Sequence, residues 1–349
     1  MLQKTQRGEL DLGKTHTSNS SRGVTSAEQT TNGSRPPFIS PLDLCIVIAL
    51  VVLTPIAWLV PQHMWSKLAR GIIAMTLHVL PRITASHVAR IDHCLGPTAA
   101  RLPAREILIR WLSHYFEDTL LLLKCYRPDG WQPVVQLQGL EHLKAAAAGG
   151  KGVVLWLSHF LYSSIATKIA LRQAGFEIIH LSHPRHGYSS TLFGIRFLNP
   201  IRIHVEDRYL KERISTGLNG TTTAVNKLRV RLAAGGIISI TARDTARKVA
   251  RVPFLAGSLS LATGAPGLAW QTKTTLLPVH TLQSDGGTFT TIIESPIVLD
   301  DSQPRWDTGT AAALEYARRL EAVVLEYPDQ WLGWNYLEPA MLSTRQYQN

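Results

Sequence analysis

Cysteine is scarce: Cys45, Cys94 and Cys125 are the only three in 349 residues. They are far apart, odd in number and form no C-x-x-C pair, so neither a zinc ribbon nor a disulfide framework can be assembled from them, which fits a reducing compartment. Charge is thin as well. Charged residues make up 17%, below the roughly 25% of an average soluble domain. Acid is the scarcer sign: 25 Asp+Glu against 36 Lys+Arg leave a net charge of +11. There is no G-x-S-x-G elbow, which excludes the common serine-hydrolase arrangement. There is no P-loop, G-x-G-x-x-G or H-E-x-x-H either, and no internal repeat. With 45% hydrophobic residues the chain is not wholly disordered, collagen-like or disulfide-dense. Its length allows one or two domains and a sizeable core. A mean hydropathy of +0.03 leans towards a membrane-associated globular protein.

The first 40 residues read as a disordered tail. From Thr15 to Ser34, 14 of 20 residues are Ser, Thr, Gly or Asn, too polar to offset their ordering entropy. An apolar block follows from Leu42 to Val60. Nineteen residues at about 1.5 Å each span about 28 Å, close to the roughly 30 Å of a bilayer core. Asp43 at its edge and Thr54 are its polar residues, and Trp58 and Trp65 stand where an interfacial belt is expected. A long polar leader and no clear cleavage site argue against a signal peptide. Lys67 and Arg70 after the block, against Arg35 before it, place the C-terminal part in the cytoplasm by the positive-inside rule.

Residues 63–127 have helical periodicity, as in Ile107-Trp111-Tyr115. From about residue 133 short apolar runs alternate with helical stretches. Strands are expected at Val134–Gln138, Gly152–Leu157, Phe176–Leu181, Gly236–Thr241 and Thr275–His280, with Thr288–Glu294 as an edge strand. Helices are expected at Glu141–Ala148, Ser163–Gln173, Thr221–Ala233, Leu259–Gln271 and Ala311–Tyr327. This alternation implies an α/β fold with a mostly parallel sheet flanked by helices.

Ligands of open α/β sheets bind beyond the carboxyl ends of the strands. The clearest strand, 152–157, runs into Ser158-His159-Phe160, so His159 stands where a general base is useful. A histidine that only caps the next helix is the plainer alternative. His180, His183 and His186 recur every three residues, but Pro184 interrupts them and no Asp, Glu or Cys is interleaved, so a solvated loop is favoured over a metal site. Basic residues gather at Arg196–Arg213, Lys227–Arg231 and Arg243–Arg251. Such a surface attracts phosphates, anionic headgroups or an acidic protein. No nucleic-acid motif accompanies them.

The ordered blocks GVVLWLSHF, ITARDTARKVARVPFLAGSLSLATGAPGLAWQTKTTLLPV and LEYPDQWLGWNY resemble the lipid A biosynthesis acyltransferase family, the lauroyl/myristoyl branch of the lysophospholipid-acyltransferase-like superfamily. The likeness extends over roughly residues 42–338. It implies a tail over 1–40, a membrane-anchoring helix over 41–61, a helical lead-in over 62–130 and an acyltransferase-like α/β domain over 131–340. His159 matches the histidine of the family's His-x4-Asp/Glu signature, but the acidic position is Ser164. Asp244 matches a family aspartate and is a substitute carboxylate, with a salt bridge to Arg243 or Arg247 as its alternative. Arg196, Arg202 and Arg208 lie where the family binds a phosphorylated acceptor, and Arg243 joins them as a substrate-binding candidate. Val205-Glu206-Asp207-Arg208 resembles the family's acidic-Arg step, while Trp334-Asn335-Tyr336-Leu337 replaces its Arg-rich end. Leu161, Tyr162, Leu192 and Phe193 are candidates to line an acyl groove.

The resemblance implies O-acyl transfer from acyl carrier protein or acyl-CoA to a lipid or glycolipid hydroxyl at the inner membrane, its catalytic domain facing the cytoplasm. It calls for no cofactor or metal and no nucleic-acid partner. The missing acid also admits a catalytically degenerate relative that binds a lipid or a partner protein.

Overall fold

The computed structural model describes residues 37–96, 102–217, 221–244, 246, 248–284 and 287–339. The expected tail therefore lies, up to residue 36, outside the described residues.

Ser40 starts the first helix, α1 (Pro41–Leu59), through a reciprocal capping box with Asp43. That contact satisfies amides the first turn would otherwise leave open. Thr54, inside the helix, donates to the Leu50 carbonyl at 2.7 Å. One helix among the described residues is long and apolar enough by itself to cross a membrane, and only 17% of its best window is buried, so α1 is not a core helix. Asp43, expected at an edge, is buried and accepts from Thr191 Oγ1 at 2.9 Å. Then come α2 (Trp65–Val79), α3 (Pro81–Leu95) and α4 (Ala104–Lys124). Trp65 departs from the interfacial role expected of it. It is buried on α2, its indole donates to the Val60 carbonyl at 3.0 Å, and the Lys124 ammonium lies over its ring.

The remaining elements are β1 (Val135–Gln138), α5 (Leu140–Ala148), β2 (Val153–Leu157), α6 (Ala166–Gln173), β3 (Ile178–Ser182), α7 (Asn199–Asp207), β4 (Glu212–Ser215), α8 (Thr222–Ala233), β5 (Ile237–Thr241), β6 (Val249–Phe254), β7 (Gly257–Ala262), α9 (Gly264–Thr272), β8 (Thr275–Gln283), β9 (Phe289–Ile293), α10 (Arg305–Glu326) and β10 (Leu337–Pro339). Seven strands form one sheet in the order β1-β9-β8-β2-β5-β3-β4, and β10-β7-β6 form a second. All neighbours in the large sheet are parallel except β8 and β9. The α/β, mostly parallel fold is as expected.

β2 lies at the centre, paired with β8 and β5, and every one of its residues is buried. A strand covered on both faces reads as the continuous apolar run VVLWL. Val154 and Trp156 face one core with α8, α9 and α10, and Val153, Leu155 and Leu157 face another with α5 and α6. Gly152 makes the entry possible. Its φ is +76°, and a Cβ there would sit 2.7 Å from the Leu232 carbonyl oxygen and 2.8 Å from that of Gly236, so only glycine fits.

Two expectations are corrected. The Thr288–Glu294 strand is β9, an interior strand between β1 and β8, because β1 covers its outer edge. The helix expected from Leu259 begins at Gly264, since Leu259–Ala262 belongs to β7. There Leu259 and Leu261 are buried while Ser258 and Ser260 are partly open, a period of two that marks a strand.

Candidate acyl-transfer site

Beyond Leu157 the backbone of β2 is held on both sides. The Ser158 amide donates to the Val279 carbonyl at 2.8 Å, and the Ala242 amide to the Leu157 carbonyl at 2.7 Å. His159 thus stands at the carboxyl edge of the sheet. The chain's last segment closes over it: Phe160 bridges to Trp331, and the Leu332 amide donates to the His159 carbonyl at 3.0 Å. The Tyr336 hydroxyl lies 3.2 Å from His159 Nδ1, and the two rings stack with centroids 5.9 Å apart.

Half-buried His159 is pushed down to about 3 by burial, with Arg243 and His186 adding positive charge nearby. The imidazole is therefore neutral across the physiological range. Burial holds the Tyr336 hydroxyl above its ordinary range, Asp244 adding to the rise and Arg243 opposing it. Tyr336 therefore stays protonated. Among the described residues no carboxylate bonds to His159.

Ser164 ends a short 3-10 turn, Leu161–Ser164, and its partners are elsewhere. Its hydroxyl accepts from Arg202 Nη1 at 2.7 Å, while Arg202 Nη2 donates to Asp118 Oδ2 at 2.5 Å. Lys168 Nζ donates to the Ser164 carbonyl at 2.7 Å and to Glu206 Oε2 at 2.8 Å. Fully buried Glu206 also meets His186 Nε2 at 2.8 Å and Arg213 Nη2 at 2.7 Å. Burial alone would raise this carboxyl, but Lys168, His186 and Arg213 outweigh it and hold it well below the usual carboxylate range. Because Glu206 is ionised, His186 donates its Nε2 proton to it. Burial pushes Asp118 up against the pull of Arg202.

A family model described as bacterial lipid A biosynthesis acyltransferase matches residues 46–334. The chain belongs to that family. Among curated proteins, none matches it. Membership makes the chain a member of an acyltransferase family acting on lipid.

Of the expected site residues, Ser164 and Arg202 are bonded to each other, and Arg243 acts on His159. Asp244 lies in the loop after β5, close enough to influence Tyr336; Arg247, its other expected partner, is outside the described residues. Arg196 is exposed on the π-helical turn Gly194–Leu198. Arg208 is committed elsewhere: it donates to the Cys125 carbonyl at 2.8 Å and lies over the Tyr126 ring. Some cations of the basic stretches are paired with acids: Arg213 with Asp207, Arg231 with Glu212 and Arg251 with Glu338. The three histidines divide. Buried His180 bonds Ser239 at 2.9 Å, His186 bonds Glu206, and His183 accepts from the Arg185 amide. Among the described residues no group of three His, Cys, Asp or Glu is placed to hold a metal ion.

Leu161 and Tyr162 are buried in the core and Leu192 is exposed. A separate cavity of about 230 Å³ opens between α8, α9 and the start of α10. Leu181, Leu228, Ile240 and Leu268 form its apolar floor, with Lys248 and Arg305 among its lining cations. Sequence reasoning missed Tyr336, Asp118 and Lys168 as contributors. Tyr336 stood inside the departing W-N-Y-L block, whereas nothing in the spacing links Asp118 to Arg202, 84 residues on.

Proposed function

We propose that the protein is a membrane-anchored O-acyltransferase carrying a fatty acyl group from acyl carrier protein or acyl-CoA to a hydroxyl of a lipid or glycolipid, with His159 as general base. The observation that carries this is the neutral imidazole at the carboxyl end of β2, engaged at Nδ1 by Tyr336 and so keeping Nε2 for an incoming hydroxyl. Nε2 takes the hydroxyl proton as the oxygen attacks the thioester carbonyl. The tetrahedral intermediate then expels the thiolate, which recovers the proton from the imidazolium. Tyr336 acts here as a positioning residue: with its hydroxyl accepting a hydrogen bond from Nδ1–H, it favours the tautomer that leaves Nε2 basic. Arg243 disfavours the imidazolium but suits a developing oxyanion, and such electrostatic stabilisation is commonly the largest catalytic contribution.

Arg202, tied to Asp118 and Ser164, braces the turn after His159. Exposed Arg196 suits an acceptor phosphate. The cavity lined by Val225, Leu228, Ile240 and Leu268 is the candidate lodging for the acyl chain. The Lys67 and Arg70 pair following α1 orients the domain to the cytoplasmic side of the inner membrane.

That no carboxylate among the described residues bonds His159 favours a second reading, a degenerate relative that binds lipid without turnover. Mass spectrometry of lipids from cells expressing the native or His159→Ala chain at matched levels separates the two. A lipid heavier by one acyl group only with His159 is expected. Identical profiles, together with no thioester cleavage by purified protein supplied with several donors and acceptors, would overturn the enzymatic reading.

A further inference from the structure

Helices α2 and α3 carry more apolar surface than the protein covers. On α2, Trp65, Ala69 and Leu77 are buried. Beside them runs a second stripe, Leu68, Ile72, Met75 and Val79, which lies at the surface, with Met75 67% and Val79 71% exposed. Steps of four, three and four put these residues along one side of the helix. The stripe continues into exposed Leu80 and Ile83 at the bend, where the two helices meet at 109°. The bend is written in the sequence. Pro81 opens α3 and Leu80 is out of helical conformation, at φ −114° and ψ 58°, since a following proline disfavours the helical region. A contiguous apolar patch of this kind marks an interaction site.

Two observations identify the partner. The patch follows directly on α1, whose own surface exposes Leu44, Ile48, Val51, Val52 and Leu59. The charge is also one-sided. Between Asp43 and Asp92 the sequence has no acidic residue, but it has Lys67, Arg70, Arg82 and Arg90. Arg70 pairs with Glu106, whereas Lys67 and Arg82 have no partner among the described residues. Apolar residues flanked by unspent cations are what an interfacial helix presents to anionic lipid.

We propose that the α2–α3 elbow is a second membrane-seated element. Its apolar stripe lies among the lipid chains, and Lys67 and Arg82 lie level with anionic headgroups. The elbow and α1 together hold the body against the bilayer. This rests on the reading of α1 as a membrane helix. The far arm of the elbow reaches the site: Arg90 on α3 donates to the Trp334 carbonyl at 3.0 Å and to the Leu337 carbonyl at 2.8 Å, on either side of Tyr336. Seating the elbow therefore steadies the segment that meets His159.

The test uses the full chain with Cys45→Ser and one cysteine introduced by Ile48→Cys, Val79→Cys or Glu141→Cys, each labelled with an environment-sensitive fluorophore. The protein is reconstituted in vesicles of phosphatidylethanolamine and phosphatidylglycerol, with or without brominated acyl chains. Severalfold quenching by brominated lipid at 48 and 79, and none at 141, is expected. Quenching at 48 alone would overturn the elbow and spare α1, while none at either would overturn both. Since all three positions are exposed, unchanged melting in detergent is expected and checks the fold. In Lys67→Glu/Arg82→Glu protein, quenching at 79 should weaken and no longer depend on phosphatidylglycerol. Unchanged dependence on it would overturn the headgroup contact.

Discussion

Tyr336→Phe isolates the contact on which the proposed base depends. The ring, its stacking on His159 and the seal made by Trp331 and Leu332 are all retained, and only the hydroxyl 3.2 Å from Nδ1 is lost. A neutral hydrogen bond contributes about 1 kcal/mol net. With about 1.4 kcal/mol per factor of ten in rate, kcat should fall roughly 5- to 10-fold. KM should hold, because the lost hydrogen bond orients the imidazole and binds no substrate. A charged orienting partner behaves differently: in a Ser-His-Asp triad its removal costs about 10⁴ in rate. Thioester release would be followed in steady state, and the ¹⁵N spectrum of His159 would report its tautomer. An unchanged kcat with an unchanged tautomer would refute the orienting role. A fall to the His159→Ala level in a protein of native melting temperature would refute the small magnitude.

The charge environment gives further expectations. His159 is held near 3, so the acid limb of kcat/KM lies well below its ordinary 6.5. Arg243→Gln removes a neighbouring positive charge and should move that limb towards neutrality, as read from the pH profile. Because the folded state disfavours the imidazolium, this group costs stability progressively as pH falls from about 6.5, where the unfolded chain takes up its proton, towards the folded value near 3. Glu206→Gln sets Lys168 and Arg213 against a neutral amide and should destabilise by about 3–5 kcal/mol in denaturant melts. Glu206 is held below its ordinary range, so its contribution is full above about pH 4.5 and fades as pH falls through its folded value; the variant should lose that acid-side dependence. Asp118→Asn leaves Arg202 without its buried countercharge and should also lower the melting temperature. Adding Ser164→Asp returns a carboxylate to Arg202 and should recover part of the loss.

The central strand, its histidine and the apolar helix α1 were legible in the sequence because each is a local signal. VVLWL needs no partner to be recognised as a buried strand, and a 19-residue apolar run declares its length. The alternation of short apolar runs with helical stretches carried the fold class. Short strands were harder. Glu212–Ser215 has little pattern of its own, Val249–Phe254 alternates but carries Pro253, and Leu337–Pro339 is a strand only because Leu259 and its neighbours are there to pair with it. The strand Phe289–Ile293 was recognised, but its inner position was not, since that depends on β1 arriving from more than 150 residues earlier. Ser164 was read as a lost partner of His159. Its actual partner, Arg202, and that residue's own countercharge on α4 arise from packing between distant elements, which spacing does not record.

The contact between Tyr336 and His159 also sets a schedule. The two residues are 177 positions apart, and at about 5–20 residues per second of synthesis roughly 9–35 s separate their additions to the chain. During that interval β2 can already be paired with β5 and β8, yet its histidine has no orienting hydroxyl. The proposed centre is therefore completed only once the segment from Trp331 to Tyr336 has been added, so a chain ending before Trp331 has the histidine without the hydroxyl that orients it.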